Sequence, residues 1–300
     1  MSDNIQTGAG TQALLVSLSF GLCRQSRQLP REAAKVEESN NAQHGVVRVS
    51  SFYFQQVNGK ETIDALANLK SHMGEWRKEH MRLTRPWDQG NTRLLPAALI
   101  QQYLDMKSTF EQAMPPKVDE FLSVYPDWAV TAPIRMGSLY RAEDFPTLEQ
   151  VREDISWNTA MIPLPTGEQW QRISLISADL AADMQRSTNE QIARAVEEAR
   201  RQTWTDVLAP IQHIVDTLSK DKPRIFSSLI GNLTSVLDLV PAFNLSGDAE
   251  LNQLAAEART TLAGIDPEDL REDPDVRRQT LQNAQEILHR FGALGSRRIA

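Results

Sequence analysis

The chain has 300 residues, 41% hydrophobic and 24% charged, with a net charge of −7. That is enough material for one large or two ordinary domains with a self-sufficient core. It gives no overall attraction to nucleic acid or anionic lipid, so only a local basic face could make such contacts. Cys23 is the only cysteine, which excludes an intrachain disulfide and any zinc site built on several thiolates.

In chain order, the opening MSDNIQTGAG is polar and lacks the basic n-region of a secretory signal, and residues 1–12 read as a flexible tail. LLVSLSFGL then alternates, with Val16, Leu18, Phe20 and Leu22 on one side and Ser17, Ser19 and Gly21 on the other, which predicts a half-buried strand. A short helix is expected after Pro30, and a second strand over GVVRVSSFYF from Gly45. Residues 60–83 place Leu66, Leu69, Met73, Trp76, His80 and Leu83 on one helical stripe. A corner over 84–96 leads to a second helix, 96–125, expected to break or kink where Pro115 and Pro116 remove backbone donors. ISWNTAMIPLP (155–165) and WQRISLI (170–176) read as further strands joined by a turn at Pro165 to Gly167.

The remainder reads as helix. Residues 178–220 carry Leu180, Met184, Val196, Val207, Leu208, Ile211, Val215 and Leu218, with a kink expected at Pro210. Phe226, Leu229, Ile230, Leu233, Val236, Leu237 and Val240 form an apolar stripe stopped by Pro241. After a turn at Ser246-Gly247-Asp248, two more amphipathic helices run through Leu251–Leu262 and Val276–Phe291, before a basic frayed tail over 294–300. The expected fold is therefore α+β and predominantly α-helical. A small antiparallel or mixed sheet and the two-helix corner occupy 13–177, and long amphipathic helices occupy 178–293. No apolar run reaches the roughly 20 residues of a membrane span, so a cytoplasmic protein is expected.

The corner, TRPWDQGNTRLLPAALIQQY, has its own logic. Arg85 precedes Pro86 and is pushed out of helical geometry, Pro96 suits the first turn of the next helix, and Trp87 is placed to plug the turn. Together with KVDEFLSVYPDW, ISWNTAMIPLP and FSSLIGNLTSVLDLVPAFNLSGDAEL, it resembles the family catalogued as domain of unknown function 3150, over most of residues 45–263. Members of that family occur in proteobacteria, phages and integrative elements. The resemblance implies a AAA-type ATPase and a von Willebrand A-type protein as partners, and it carries no catalytic residues.

The chemical motifs are sparse. There is no phosphate-binding glycine loop and no Gly-x-Ser-x-Gly elbow. His72, Glu75 and Glu79 share one arc of a helix but flank the apolar stripe, so a solvated face is expected rather than a metal site. His80 is expected as a hydrogen-bonded core histidine. No cofactor or metal is predicted. Lys78, Arg82, Arg85 and Arg93 gather near the corner with Trp87. They either complement a helix C-terminus or form an anion contact with Trp87 as a stacking platform. The stripe from Phe226 to Val240 either packs internally or docks a partner. The expected function is non-catalytic: an interaction or assembly component of a phage or mobile element, with self-association and a AAA-type ATPase partner as specific hypotheses. A nucleic-acid-binding accessory protein is the alternative, and an enzyme with a site assembled from scattered residues is a further one.

Overall fold

The computed structural model describes residues 13–54, 64–87, 90–172 and 177–299, excepting the side chains of 168, 171, 172 and 293–299. In chain order the elements are β1 (Ala13–Gly21), β2 (Ser26–Gln28), α1 (Pro30–Ser39), β3 (Ser50–Phe52), α2 (Asp64–Arg82), β4 (Arg85–Pro86) and β5 (Thr92–Pro96). These are followed by α3 (Ile100–Met136), α4 (Leu148–Asp154), β6 (Ser156–Pro163) and α5 (Ala178–Leu218). The chain closes with α6 (Ser228–Leu237), α7 (Val240–Phe243), α8 (Ala249–Thr261), α9 (Pro267–Glu272) and α10 (Pro274–Ile299). A four-stranded sheet has the order β4-β5-β1-β6, and β2 pairs with β3 in a separate antiparallel ribbon. The fold is α+β and mainly helical, as the periodicities predict. Helix α10 takes in residues 294–299, set aside above as a tail.

Two compact units divide the chain. One is built from the segment ending at Ser17, from Arg82–Gln101 and from Ala160 onward; the other from Leu18–Met81 and Gln102–Thr159.

In the second of these, α2 and α3 supply the core. Leu66, Leu69 and Trp76 of α2 and Met114 and Phe121 of α3 are fully buried in one cluster. Trp76 stacks on Phe110 at 5.8 Å and meets Phe20 edge-on at 5.3 Å. Helix α3 is one helical element of 37 residues that includes Pro115, Pro116, Pro126 and Pro133, so of the expected break or kink the break does not occur, and the helix runs beyond 125 to Met136. A helix-interior proline costs roughly 3 kcal/mol. Met114, Val118, Phe121, Leu122 and Tyr125 are all buried, each worth about 1.5–3 kcal/mol, so packing is of the size needed to offset the lost backbone bonds. Gly21 ends β1 where a Cβ would lie 2.8 Å from the Asp154 carbonyl, an approach only glycine tolerates.

The strand expected over GVVRVSSFYF is confined to Ser50–Phe52. The reason is a carboxylate. Glu37, buried at the end of α1, accepts hydrogen bonds from the backbone N–H groups of Gly45 (2.8 Å) and Val47 (2.9 Å) and pairs with His44 Nδ1 at 2.9 Å. Those amides are therefore committed to a side chain instead of a ladder. The Val47 amide foremost, with Gly45 and His44, holds the Glu37 carboxyl below its ordinary range against the opposing effect of burial.

In the first unit, Ala13–Ser17 of β1 runs antiparallel to β5, from Ala13 opposite Pro96 to Ser17 opposite Thr92, and β5 pairs in turn with β4. The corner is thus a β-hairpin, and Trp87 closes it by donating its backbone N–H to the Thr92 carbonyl at 3.2 Å. The indole of Trp87 packs against Ala13, Leu15, Leu94 and Leu164, the plug the sequence suggested. Helix α5 is one element of 41 residues that includes Pro210. Its Trp204, Val207, Ile211 and Ile214 form a core with residues of α6, α8 and α10. The strand expected over 170–176 is a 3-10 turn as far as Arg172, and 173–176 lie outside the described residues. Trp170 there donates its indole N–H to Thr188 of α5 at 2.8 Å, a tie to a helix that a strand would not make.

Candidate partner-docking site

The residues singled out for docking are mostly spoken for. Leu229, Ile230, Leu233, Leu237 and Val240 are buried in the helical core, and Val236 packs partly buried against it; Phe226 is 67% exposed. Of the two readings of that stripe, the structure realises internal packing for every member except Phe226.

The basic patch is also turned inward. Arg85 is 5% exposed. It donates from Nη2 to Asp206 Oδ2 at 2.7 Å and from Nη1 to the Thr84 carbonyl at 3.1 Å, and its guanidinium lies 3.5 Å from the centroid of the Phe243 ring. Burial pulls the Arg85 guanidinium down to about 10 although Asp206 pushes the other way, so it stays charged at neutral pH. Arg93 is half-buried and donates from Nε to Thr84 Oγ1 at 2.6 Å and from Nη2 to the Thr84 carbonyl at 3.2 Å. Arg82 is half-buried, and Lys78 is exposed on α2 in the other unit. Arg85, Trp87 and Arg93 thus belong to one hairpin, where they hold it together. They do not make the open cationic face that an anion contact through Trp87 requires.

A buried polar network stands beside that hairpin's partner helix. Gly247, at φ 67°, turns the chain into Asp248, which caps α8 by accepting from the amides of Glu250 (3.0 Å) and Leu251 (3.2 Å). Its other carboxylate oxygen accepts from Trp204 Nε1 at 3.1 Å and Arg200 Nη1 at 3.3 Å, and Arg200 also pairs with Glu197. Asn244 donates to the Asp248 carbonyl at 2.9 Å and accepts from its amide at 2.8 Å. Every polar group in this set has a partner, which is the arrangement of a structural lock between helices.

The chemical constellations resolve similarly. His72 is buried, not solvated as expected, because its Nε2 donates to the Phe110 carbonyl at 3.1 Å while its ring packs on Phe110. That separates it from Glu75, which stays exposed. His80 forms a 2.8 Å hydrogen bond to the Tyr103 hydroxyl, the core role predicted for it. Burial pushes the Cys23 thiol up to about 11, so it stays protonated and unreactive at neutral pH. Among the described residues no group of three or more His, Cys, Asp or Glu side chains converges on a metal position. Among them, too, no helix is long and apolar enough to cross a membrane.

What remains open lies on α3. Ile134 is 87% exposed and Val130 78%, with Val124 also exposed. Glu120, Val124, Asp127, Thr131 and Ile134 follow one another at three- and four-residue steps, and Val130 lies three residues after Asp127 and four before Ile134, so all six share one side of the helix. Beside them is a depression of about 420 Å³ whose described lining residues include Asp64, Glu120, Val124, Asp127, Trp128 and Thr131, with no cation among them. The nearby cation is engaged. Arg135 lies 3.5 Å over the Trp128 ring and donates to the Trp128 carbonyl at 2.7 Å. Trp128 is itself fixed by donating Nε1 to the Tyr53 carbonyl at 2.9 Å. The face sets exposed Val124, Val130 and Ile134 among the carboxylates of Glu120 and Asp127. The sequence held a signal for it, a second apolar series at 124, 130 and 134 offset from the buried series at 114, 118, 121 and 125. A helix apolar on two sides has one to spare.

No protein-family model, curated protein or solved structure matches this chain.

Proposed function

We propose that the chain is a non-catalytic interaction protein, an assembly component of a phage or mobile genetic element in the bacterial cytoplasm, which docks a partner along the outer face of α3. The observation that carries this reading is the pair Val130 and Ile134, 78% and 87% exposed and one helical turn apart. Burying each against a partner is worth about 1.5–3 kcal/mol, which the chain alone leaves unused. The carboxylates of Asp64, Glu120 and Asp127 beside them set the partner's chemistry: an amphipathic helix whose apolar side chains are flanked by lysine or arginine. Symmetric pairing of two copies through this face would set these carboxylates against their own equivalents, so a different chain is favoured over self-association. The residue pattern resembling domain of unknown function 3150 makes a AAA-type ATPase and a von Willebrand A-type protein the first partners to try.

The test is co-elution and calorimetry with those two proteins, using the unaltered chain and V130E/I134E. Both substitutions sit on exposed positions, so the thermal midpoint should stay within a degree or two while affinity falls by about tenfold or more, equivalent to about 1.4 kcal/mol. Equal binding by the double variant, or no binding of either protein by the unaltered chain, would overturn the proposal.

A further inference from the structure

The turn between α5 and α6 concentrates positive charge. Lys220, Lys222 and Arg224 border a depression of about 350 Å³ whose wall also includes His213, Thr217 and Phe226 and bears no carboxylate among the described residues. In a chain of net charge −7, this is a local reversal. The side chains of these three cations make no ion pair among the described residues. Of the nearest acids in sequence, Asp216 accepts from the Gln212 amide at 2.8 Å, and Asp221 is exposed and off the wall. Lysines after a helix C-terminus complement its dipole, but that account needs no cavity.

Thr217 supplies an independent observation. The buried threonines Thr203 and Thr280 each donate their hydroxyl to the carbonyl four residues earlier at 2.7 Å. Thr217 is 7% exposed, and its hydroxyl makes no hydrogen bond among the described residues while it lines this depression. The Thr217 hydroxyl therefore opens onto the depression with its proton uncommitted to the protein, available to a ligand seated there. Ser228, the first residue of the ten-residue α6, also lines the depression, and Ser227 before it makes no side-chain cap, whereas Ser177 caps α5 and Asp248 caps α8. Phe226, 67% exposed, stands at the rim.

We propose that this pocket seats a nucleotide phosphate. The phosphate oxygens lie among Lys220, Lys222 and Arg224 and accept the Thr217 hydroxyl proton in a hydrogen bond, and the base rests against the Phe226 ring. A free nucleotide and the end of a single strand share this chemistry, and the test separates them. Binding is measured at low salt by anisotropy of a fluorescein-labelled oligodeoxythymidylate, with ATP and inorganic pyrophosphate as competitors. The variants are K222E/R224E, T217V and F226A, with circular dichroism to confirm folding; the first and last alter exposed side chains and T217V is nearly isosteric. Affinity should fall as salt rises, drop by about tenfold or more in K222E/R224E, and drop several-fold in T217V. F226A should weaken the oligonucleotide and ATP and leave pyrophosphate unchanged. Competition by ATP as effective as by unlabelled oligonucleotide supports a free-nucleotide site, and weaker competition supports a strand site. The proposal is overturned if none of the three ligands binds at low salt or if K222E/R224E binds like the unaltered chain; F226A-insensitive nucleotide binding overturns the base position.

Discussion

Replacing Asp248 by alanine should destabilise the helical core by about 3–5 kcal/mol, read as a shift in the denaturation midpoint at unchanged slope. Three losses combine. The α8 cap, two amides accepted at 3.0 and 3.2 Å, is worth about 1 kcal/mol. The Trp204 indole N–H, donated to the same carboxylate in a fully buried position, would be left unsatisfied at about 1–3 kcal/mol. Arg200, itself buried, would keep Glu197 and lose its second carboxylate, adding about 1 kcal/mol or more. Asp248→Asn retains the capping oxygen and should cost about half as much. An alanine variant within about 1 kcal/mol of the unaltered protein would show that the network is incidental to stability.

The second large effect is an asymmetry. Asp206→Ala should cost about 3 kcal/mol or more, because it leaves the Arg85 guanidinium charged, buried and without its carboxylate. Arg85→Met should cost on the order of 1 kcal/mol. Methionine can occupy the space over Phe243, and Asp206, whose side chain is 28% exposed, regains water. The pair of chemical denaturation curves checks this directly. Equal costs for the two variants would mean that the Arg85 site is wetter than its 6% side-chain exposure implies.

What the sequence made legible follows from locality. The period of two in Val16, Leu18 and Phe20 and the stripe from Leu66 to Trp76 are local patterns, and both elements appear where those patterns lie. Strand β5 was invisible because five residues ending in a proline are too few to show a period. It exists because β1 offers it an edge, a pairing about 80 residues away in sequence. Pro115 and Pro116 of α3 misled for the converse reason: local cost is visible in a sequence, and the packing that offsets it is not. The burial of Arg85 was illegible because cation clustering does not reveal which cations find carboxylates, and the partner of Arg85 is 121 residues away. The α3 face was missed because the helix was expected to end at 125, which left Val130 and Ile134 outside it, whereas it runs to Met136.

The account rests on α3, not the stripe from Phe226 to Val240, being the surface that meets a partner. Amide hydrogen exchange, measured on the chain alone and saturated with the AAA-type ATPase or the von Willebrand A-type protein, tests this most directly. Exchange should slow over residues 120–136 and remain unchanged over residues 226–240. Protection confined to 226–240, or no protection over α3 in a complex that demonstrably forms, would contradict it.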